Sequence, residues 1–272
     1  MSFSFVKSGA IRRGEPVSEL ELTFYPIKMS QYEQFLACKE ALTLRQSTLP
    51  AKYAGLLYMD ALFKLDFDAM LGNRPVSGLF HRLLTFLLMS LGIDTDTKSF
   101  VENGNLLVKV DKHGHETIAV KVKQGDITVE ISSKDFTTTV LPLIAAQNGV
   151  ELPDETENAE IVRATEEEQG LKEGQSRYKV KRDIDALISS VAYLSHVCET
   201  EIWQWTVREF ENRRKAIQRD KMYMLYAQAE MSGFVTLKNG NPFPSWCFDT
   251  YDKEEGATSL QSLHEQLGGG TD

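Results

Sequence analysis

The feature of this sequence that most constrains its fold is a change of period. Between Phe100 and Ile131 apolar residues recur at every second position, clearly in Val108 and Val110 and again in Ile118, Val120 and Val122. On both sides of that stretch they recur every third or fourth position instead. A spacing of two suits a half-buried strand and a spacing near 3.6 suits a helix, so one packing scheme cannot serve the whole chain. Asn103-Gly104, His113-Gly114 and Gln124-Gly125-Asp126 supply turn chemistry around the alternating runs 106–110, 117–122 and 127–131. The stretch therefore reads as a three-stranded antiparallel meander. The fold class that follows is α+β, predominantly helical, with this meander in the middle and a helical C-terminal unit.

The N-terminal zone, 1–92, reads as helical after an extended start. In 19–25 apolar Leu20, Leu22 and Phe24 alternate, which predicts a strand ended by Pro26. Ser30 and Glu33 have capping-box spacing, and Tyr32, Phe35, Leu36 and Leu42 follow on one helical face. Pro50 suits the first turn of a second helix carrying Tyr53, Leu56, Leu57, Leu62 and Phe63. A third, from about Ser77 to a cap at Gly92, is apolar nearly all round and predicts the best-buried segment. After the meander, Ser133 is expected to cap a short helix with Phe136, Val140, Leu143 and Ile144 inside. Ile184, Leu187, Ile188, Val191, Leu194 and Val197 mark an amphipathic helix. A further helix is expected from about Thr200 to Gly233, then a turn-rich loop over 238–246 and a glycine-rich tail over 267–272.

Charge divides the chain. Of its net −9, the stretch 151–173 carries −7, with nine acids against two bases, and the remainder is nearly neutral. Few large apolar residues lie in that stretch, so it predicts a solvated linker or an acidic lure for a basic partner. The expected organisation is 1–149, an N-terminal helical region with the sheet; 150–176, the linker; and 177–272, the C-terminal helical unit. The acidic balance argues against a protein devoted to coating nucleic acid. The most apolar run, 79–91, is interrupted by His81, Arg82, Thr85 and Ser90 and is too short to cross a bilayer. The first nine residues lack the apolar core of a secretory signal. Cys38, Cys198 and Cys247, odd in number and far apart, suit a reducing cytosol.

The sequence holds no phosphate cradle, dinucleotide fingerprint, zinc-protease or nucleophile-elbow motif. His113 and His115 read as a solvated turn rather than metal ligands. His196 and Cys198, two apart on an expected helix, point about 200° from each other and cannot form a nucleophile–base pair, so Cys198 reads as a core residue. Asp126, Glu130 and Lys134 miss the spacing of a metal-dependent nuclease core. No enzyme, cofactor or metal reading emerges from these residues. Arg208, Arg213, Arg214, Lys215, Arg219 and Lys221 give +3 over fourteen residues after three interleaved acids are counted. Such a run reads first as a charged helix surface laced with pairs such as Glu209 with Arg213, and second as a nucleic-acid contact. Trp203 and Phe210 read as core; Trp205, about 200° round from Trp203, reads as the exposed member of the pair.

The stretch from Ile202-Trp-Gln-Trp-Thr-Val-Arg-Glu-Phe-Glu-Asn-Arg through Tyr226-Ala-Gln-Ala to Phe234 resembles the C-terminal helices of tail-assembly chaperones of tailed bacteriophages. More loosely it resembles other tail or baseplate morphogenesis proteins. The resemblance implies a non-enzymatic assembly factor that binds the tape-measure protein or a baseplate hub component in the host cytoplasm. The alternatives are a structural subunit retained in the virion tail and a nucleic-acid-binding regulator using the basic helix 208–221. The residues expected to meet a partner are Trp205, Arg208, Arg214, Pro242, Phe243 and Trp246. Self-association is compatible with this reading, and a membrane partner is not implied.

Overall fold

A computed structural model describes residues 5–94, 96–110, 116–155, 183–232 and 241–248. Contacts divide the chain into two units, 1–212 and 213–272.

The first unit is organised around an extended segment that carries no regular ladder for most of its length. Leu22, Phe24, Ile27 and Met29 are at most 1% exposed, so the polar backbone groups of these residues need partners. Those partners come from remote parts of the chain. Gln124 bonds Thr23 through both its amide oxygen (2.8 Å) and its amide nitrogen (2.9 Å). Gln147 donates to the Phe24 carbonyl (3.0 Å), Tyr25 N–H donates to the Ser90 carbonyl (2.6 Å), and Ile27 N–H donates to Asn148 Oδ1 (2.8 Å). Val207 N–H then donates to the Ile27 carbonyl (2.8 Å) and Met29 N–H to the Trp205 carbonyl (2.9 Å), with a bridge pairing Lys28 and Thr206.

Helix α1 (Phe5–Arg13) precedes this segment, where the sequence pattern predicts an extended start. The strand expected over 19–25 is a hairpin, β1 (Val17–Glu19) with β2 (Leu22–Phe24), turned by two residues at positive φ, Leu20 (51°) and Glu21 (63°). The capping box at Ser30 does not form. Met29–Gln31 is a 3₁₀ turn, and α2 (Tyr32–Thr43) begins at Gln31 without a side-chain cap. The helix expected from Pro50 is split into α3 (Ala51–Ala54) and α4 (Tyr58–Leu71), with Pro50 at the N-cap and the break after Gly55. Helix α5 (Leu79–Ser90) buries nine of its twelve residues. It ends as expected, with Gly92 at φ 66°, its N–H on the Met89 carbonyl (3.1 Å) and Ile93 N–H on the Leu88 carbonyl (3.0 Å). Phe86 of α5 meets Phe35 of α2 (centroids 5.7 Å), and Phe80 meets Phe63 of α4 (5.2 Å). Each fully buried side chain of this size contributes about 1.5–3 kcal/mol.

After the short α6 (Thr97–Phe100) comes the meander in the order β3 (Leu106–Val110), β4 (Glu116–Gln124), β5 (Ile127–Ser132). Val108 opposes Ile118, and Val122 opposes Val129. The buried side chains Ile118, Val120, Val122 and Ile131 share one face, to which α4 contributes Asp60, whose Oδ1 accepts the Ile118 N–H at 2.7 Å. The next helical stretch is capped by Ser132, not Ser133. Ser132 Oγ accepts the Asp135 N–H (3.1 Å), whereas Ser133 is the buried first residue of α7 (Ser133–Asp135). A wider π turn over Phe136–Val140 leads into α8 (Leu141–Gln147). Pro142 has no N–H to give the Thr138 carbonyl, which is where a regular α ladder loses its bond. Phe136, Val140, Leu143 and Ile144 are buried as expected.

The start of the acidic stretch is exposed and tethered at two points: Arg45 donates to the Asp154 carbonyl (2.9 Å), and Gln46 and Ser47 N–H donate to the Glu155 carboxylate (2.7 and 3.2 Å). Residues 156–182, with the rest of that stretch, lie outside the described residues, as do the 111–115 turn with His113 and His115, Gly233 and the 267–272 tail. The unit closes with α9 (Ile184–Ser195), α10 (Glu199–Ile202) and the start of α11 (Val207–Met231). One continuous helix from Thr200 is not formed; residues 203–206 leave the helix to pair with 27–29. The division between units falls inside α11, at 212/213.

Candidate partner surface

Two of the six expected partner residues belong to the first unit, and both are committed to its interior. Trp205 is 8% exposed while Trp203 is 36% exposed, the reverse of the expected assignment. No single helix runs through both: the chain turns at Trp203, and Trp205 follows the backbone inward to Met29. Phe210 is fully buried, as expected, edge-on to Tyr32 (5.7 Å), whose hydroxyl donates to Glu211 (2.8 Å). Arg208 is half-buried. Its guanidinium donates to the Ala146 carbonyl at the end of α8, and a Cβ on Gly149 would come within 3.3 Å of its stem. Burial, helped by the nearby Arg12 charge, pulls its pKa below the ordinary guanidinium value. A cation on the last carbonyls of a helix is a structural cap.

The remaining four, Arg214, Pro242, Phe243 and Trp246, lie in the second unit. From Arg213 to Met231 no described residue of α11 is buried. Residues 241–248 lie along this helix in the reverse direction: Asn241 donates to Glu230 (3.3 Å), Phe243 packs on Tyr226 (centroids 5.4 Å), and the Cys247 carbonyl accepts from Arg219 (3.2 Å). Pro242 and Pro244 keep this strap from becoming helical. Its bends are fixed locally. Asn241 Oδ1 accepts the Phe243 N–H (2.8 Å), and Ser245 Oγ accepts from Cys247 and Phe248 N–H (3.2 and 3.0 Å). Trp246 (62%) and Phe248 (76%) are left outward, as are Met224, Leu225 and Met231 on the helix. Of the expected residues, Phe243 anchors the strap and Trp246 is offered to solvent. Phe248 and Met224 are not among the expected residues, and Leu225, an apolar point of the expected helix, is exposed.

Elsewhere the described residues offer less chemistry. An open groove of about 910 Å³ beside α2 and α5 is lined by Lys28, His81, Arg82, Asp94 and Asp96 among others. Arg82 is already paired with Glu40 (2.6 Å), and Asp96 caps α6 through Ser99 (2.9 Å). His196 is the left-handed C-cap of α9 (φ 55°) and Cys198 the N-cap of α10. Cys198 is exposed and not a core residue, because the helix on which that expectation rested ends before it. Cys38 is buried, and burial pushes its thiol up to about 11. Among the described residues no three His, Cys, Asp or Glu side chains gather to hold a metal, and no helix is long and apolar enough to cross a membrane.

Fold and surface together define an α+β protein carrying an outward aromatic strap on a charged helix. Comparison with protein-family models, curated proteins and solved structures finds no match to the chain.

Proposed function

We propose that this protein is a non-enzymatic tail or baseplate morphogenesis factor of a tailed bacteriophage, which holds a tail component through protein–protein contacts until assembly. The observation that supports this reading is the strap. Trp246 and Phe248 are exposed yet their backbone is pinned by Ser245 and Arg219, and rigid aromatic side chains give contact area at low entropic cost. The basic helix lies within the chaperone-like run 202–234, and the strap follows that run in the chain.

Mass spectrometry of purified particles against infected-cell lysate tests the reading. An assembly factor is abundant in the lysate and absent from particles. A fixed copy number in particles identifies a permanent tail or baseplate subunit instead. Absence of any particle from the source removes the phage reading altogether. In the first case, Trp246→Ala with Phe248→Ala is expected to weaken capture of the co-purifying tail component about tenfold or more, the size typical of central aromatic contacts.

A further inference from the structure

We infer that the outer edge of β3 is the seat of a homodimer, formed by antiparallel pairing of β3 with its copy in a second chain. This inference is independent of the phage reading. The sheet order puts β3 at an edge, and among the described residues no strand lies beyond it. An edge strand exposes unpaired N–H and C=O groups that template pairing, and proteins that stay monomeric protect such edges with proline, bulges, short length or charge. The run Leu-Leu-Val-Lys-Val contains no proline or glycine, and its ladder with β4 is regular over all five residues.

The side chains give the same answer. By register, Leu106, Val108 and Val110 share the face that carries buried Val120 and Ile118 on β4. Yet Val108 is 52% and Val110 64% exposed, so the apolar face of the sheet continues past its own cover. The single charge on the strand, Lys109, is already paired across the sheet with Glu130.

A second copy fits this edge because the strand is self-complementary. In an antiparallel pair centred on Val108, Val108 faces its own mate, Leu106 faces Val110, and Leu107 faces Lys109. All pairs on the core-side face are then apolar, and the two lysines are not opposite each other, which avoids the like-charge penalty of direct cross-strand neighbours. A two-fold axis through Val108 makes the contact isologous and closed, so it stops at a dimer. The product is a continuous six-stranded sheet.

Sedimentation equilibrium of the full chain is expected to give twice the 30.7 kDa chain mass at micromolar concentration. Val108→Lys places two ammonium groups across the axis and should raise the dimer dissociation constant by about tenfold or more, since like charges directly opposite oppose pairing. Circular dichroism reports whether that variant folds, and Val110→Thr, a milder polar change on the same face, serves if it does not. Val108→Cys in a Cys198→Ser, Cys247→Ser background should form an intermolecular disulfide, because opposite residues of an antiparallel pair lie within disulfide reach. A monomer at every concentration overturns the inference. So does a dimer that these folded variants leave unchanged and that Val108→Cys fails to cross-link.

Discussion

Asn148 and Asp60 show what single polar side chains contribute to this interior. Asn148 is 1% exposed, accepts the Ile27 N–H and donates to the Ile144 carbonyl (2.8 Å each). Asn148→Ala strands a buried donor and should cost about 1–3 kcal/mol in denaturant unfolding. Asp60 accepts the Ile118 N–H, but burial outweighs that bond and the nearby Lys64, raising its carboxyl above the ordinary 3.8. A raised folded pKa means the folded state holds the proton more tightly than the unfolded chain. The contribution is then fully present below 3.8 and is lost as pH climbs through the folded value. Wild-type stability relative to Asp60→Asn should therefore fall with rising pH over that window, while Asp60→Ala should lose about 1–3 kcal/mol below that window by orphaning Ile118, a loss that shrinks across it. A flat difference between wild type and Asp60→Asn would show that the carboxyl titrates alike in both states. Neither role is visible in sequence, where Asn148 and Asp60 are ordinary polar residues. Trp205 makes the same point: its burial depends on a turn two residues earlier. Trp205→Ala should cost about 3–5 kcal/mol, as large aromatic truncations in cores do.

At the scale of elements, legibility followed how local the cause was. The meander and its apolar alternation were readable because strand period and turn residues lie within thirty residues of each other. Gly92 was readable because a positive-φ cap has a residue type attached to it. Ser30 and Glu33 had the spacing of a cap but a 3₁₀ turn took their place, whereas Thr206 and Glu209, with the same spacing, do begin a helix: Thr206 Oγ accepts the Glu209 N–H at 3.1 Å. The β1–β2 turn was missed because its residues contradict its geometry. Leu20 and Glu21 both adopt positive φ, which a two-residue hairpin requires and which glycine or asparagine normally supplies. A left-handed L-residue costs roughly 1–2 kcal/mol. Glu21→Gly should thus stabilise the protein by about 1 kcal/mol after the entropy glycine adds to the unfolded chain, a rise of about 2–4 °C in Tm for a chain of this size. A lower Tm would mean that the Glu21 side chain holds the turn in place by contacts worth more than its strain.

Over the whole molecule, the contacts divide the chain at Asn212–Arg213. The pairing of 27–29 with 205–207 joins segments almost the length of the first unit apart, and such pairing leaves no periodic trace in either one. The two ends of α11 consequently live under different physics. Val207 and Phe210 are fully buried, so their backbone opens only when the first unit unfolds, at a cost of about 5–15 kcal/mol for a typical domain. From Arg213 onward no described residue is buried, and a helix held mainly by its own hydrogen bonds is marginal in water. Hydrogen exchange should therefore fall along a single helix: amides of 207–212 protected to the level of α5, and those beyond Met222 exchanging faster by about two orders of magnitude or more, since each 1.4 kcal/mol of opening energy is tenfold. Core-level protection at Met224 and Leu225 in the isolated protein would mean that this face is already covered. Protection that appears there only when a tail component is added would mean that the partner, not the chain itself, completes this end of the fold.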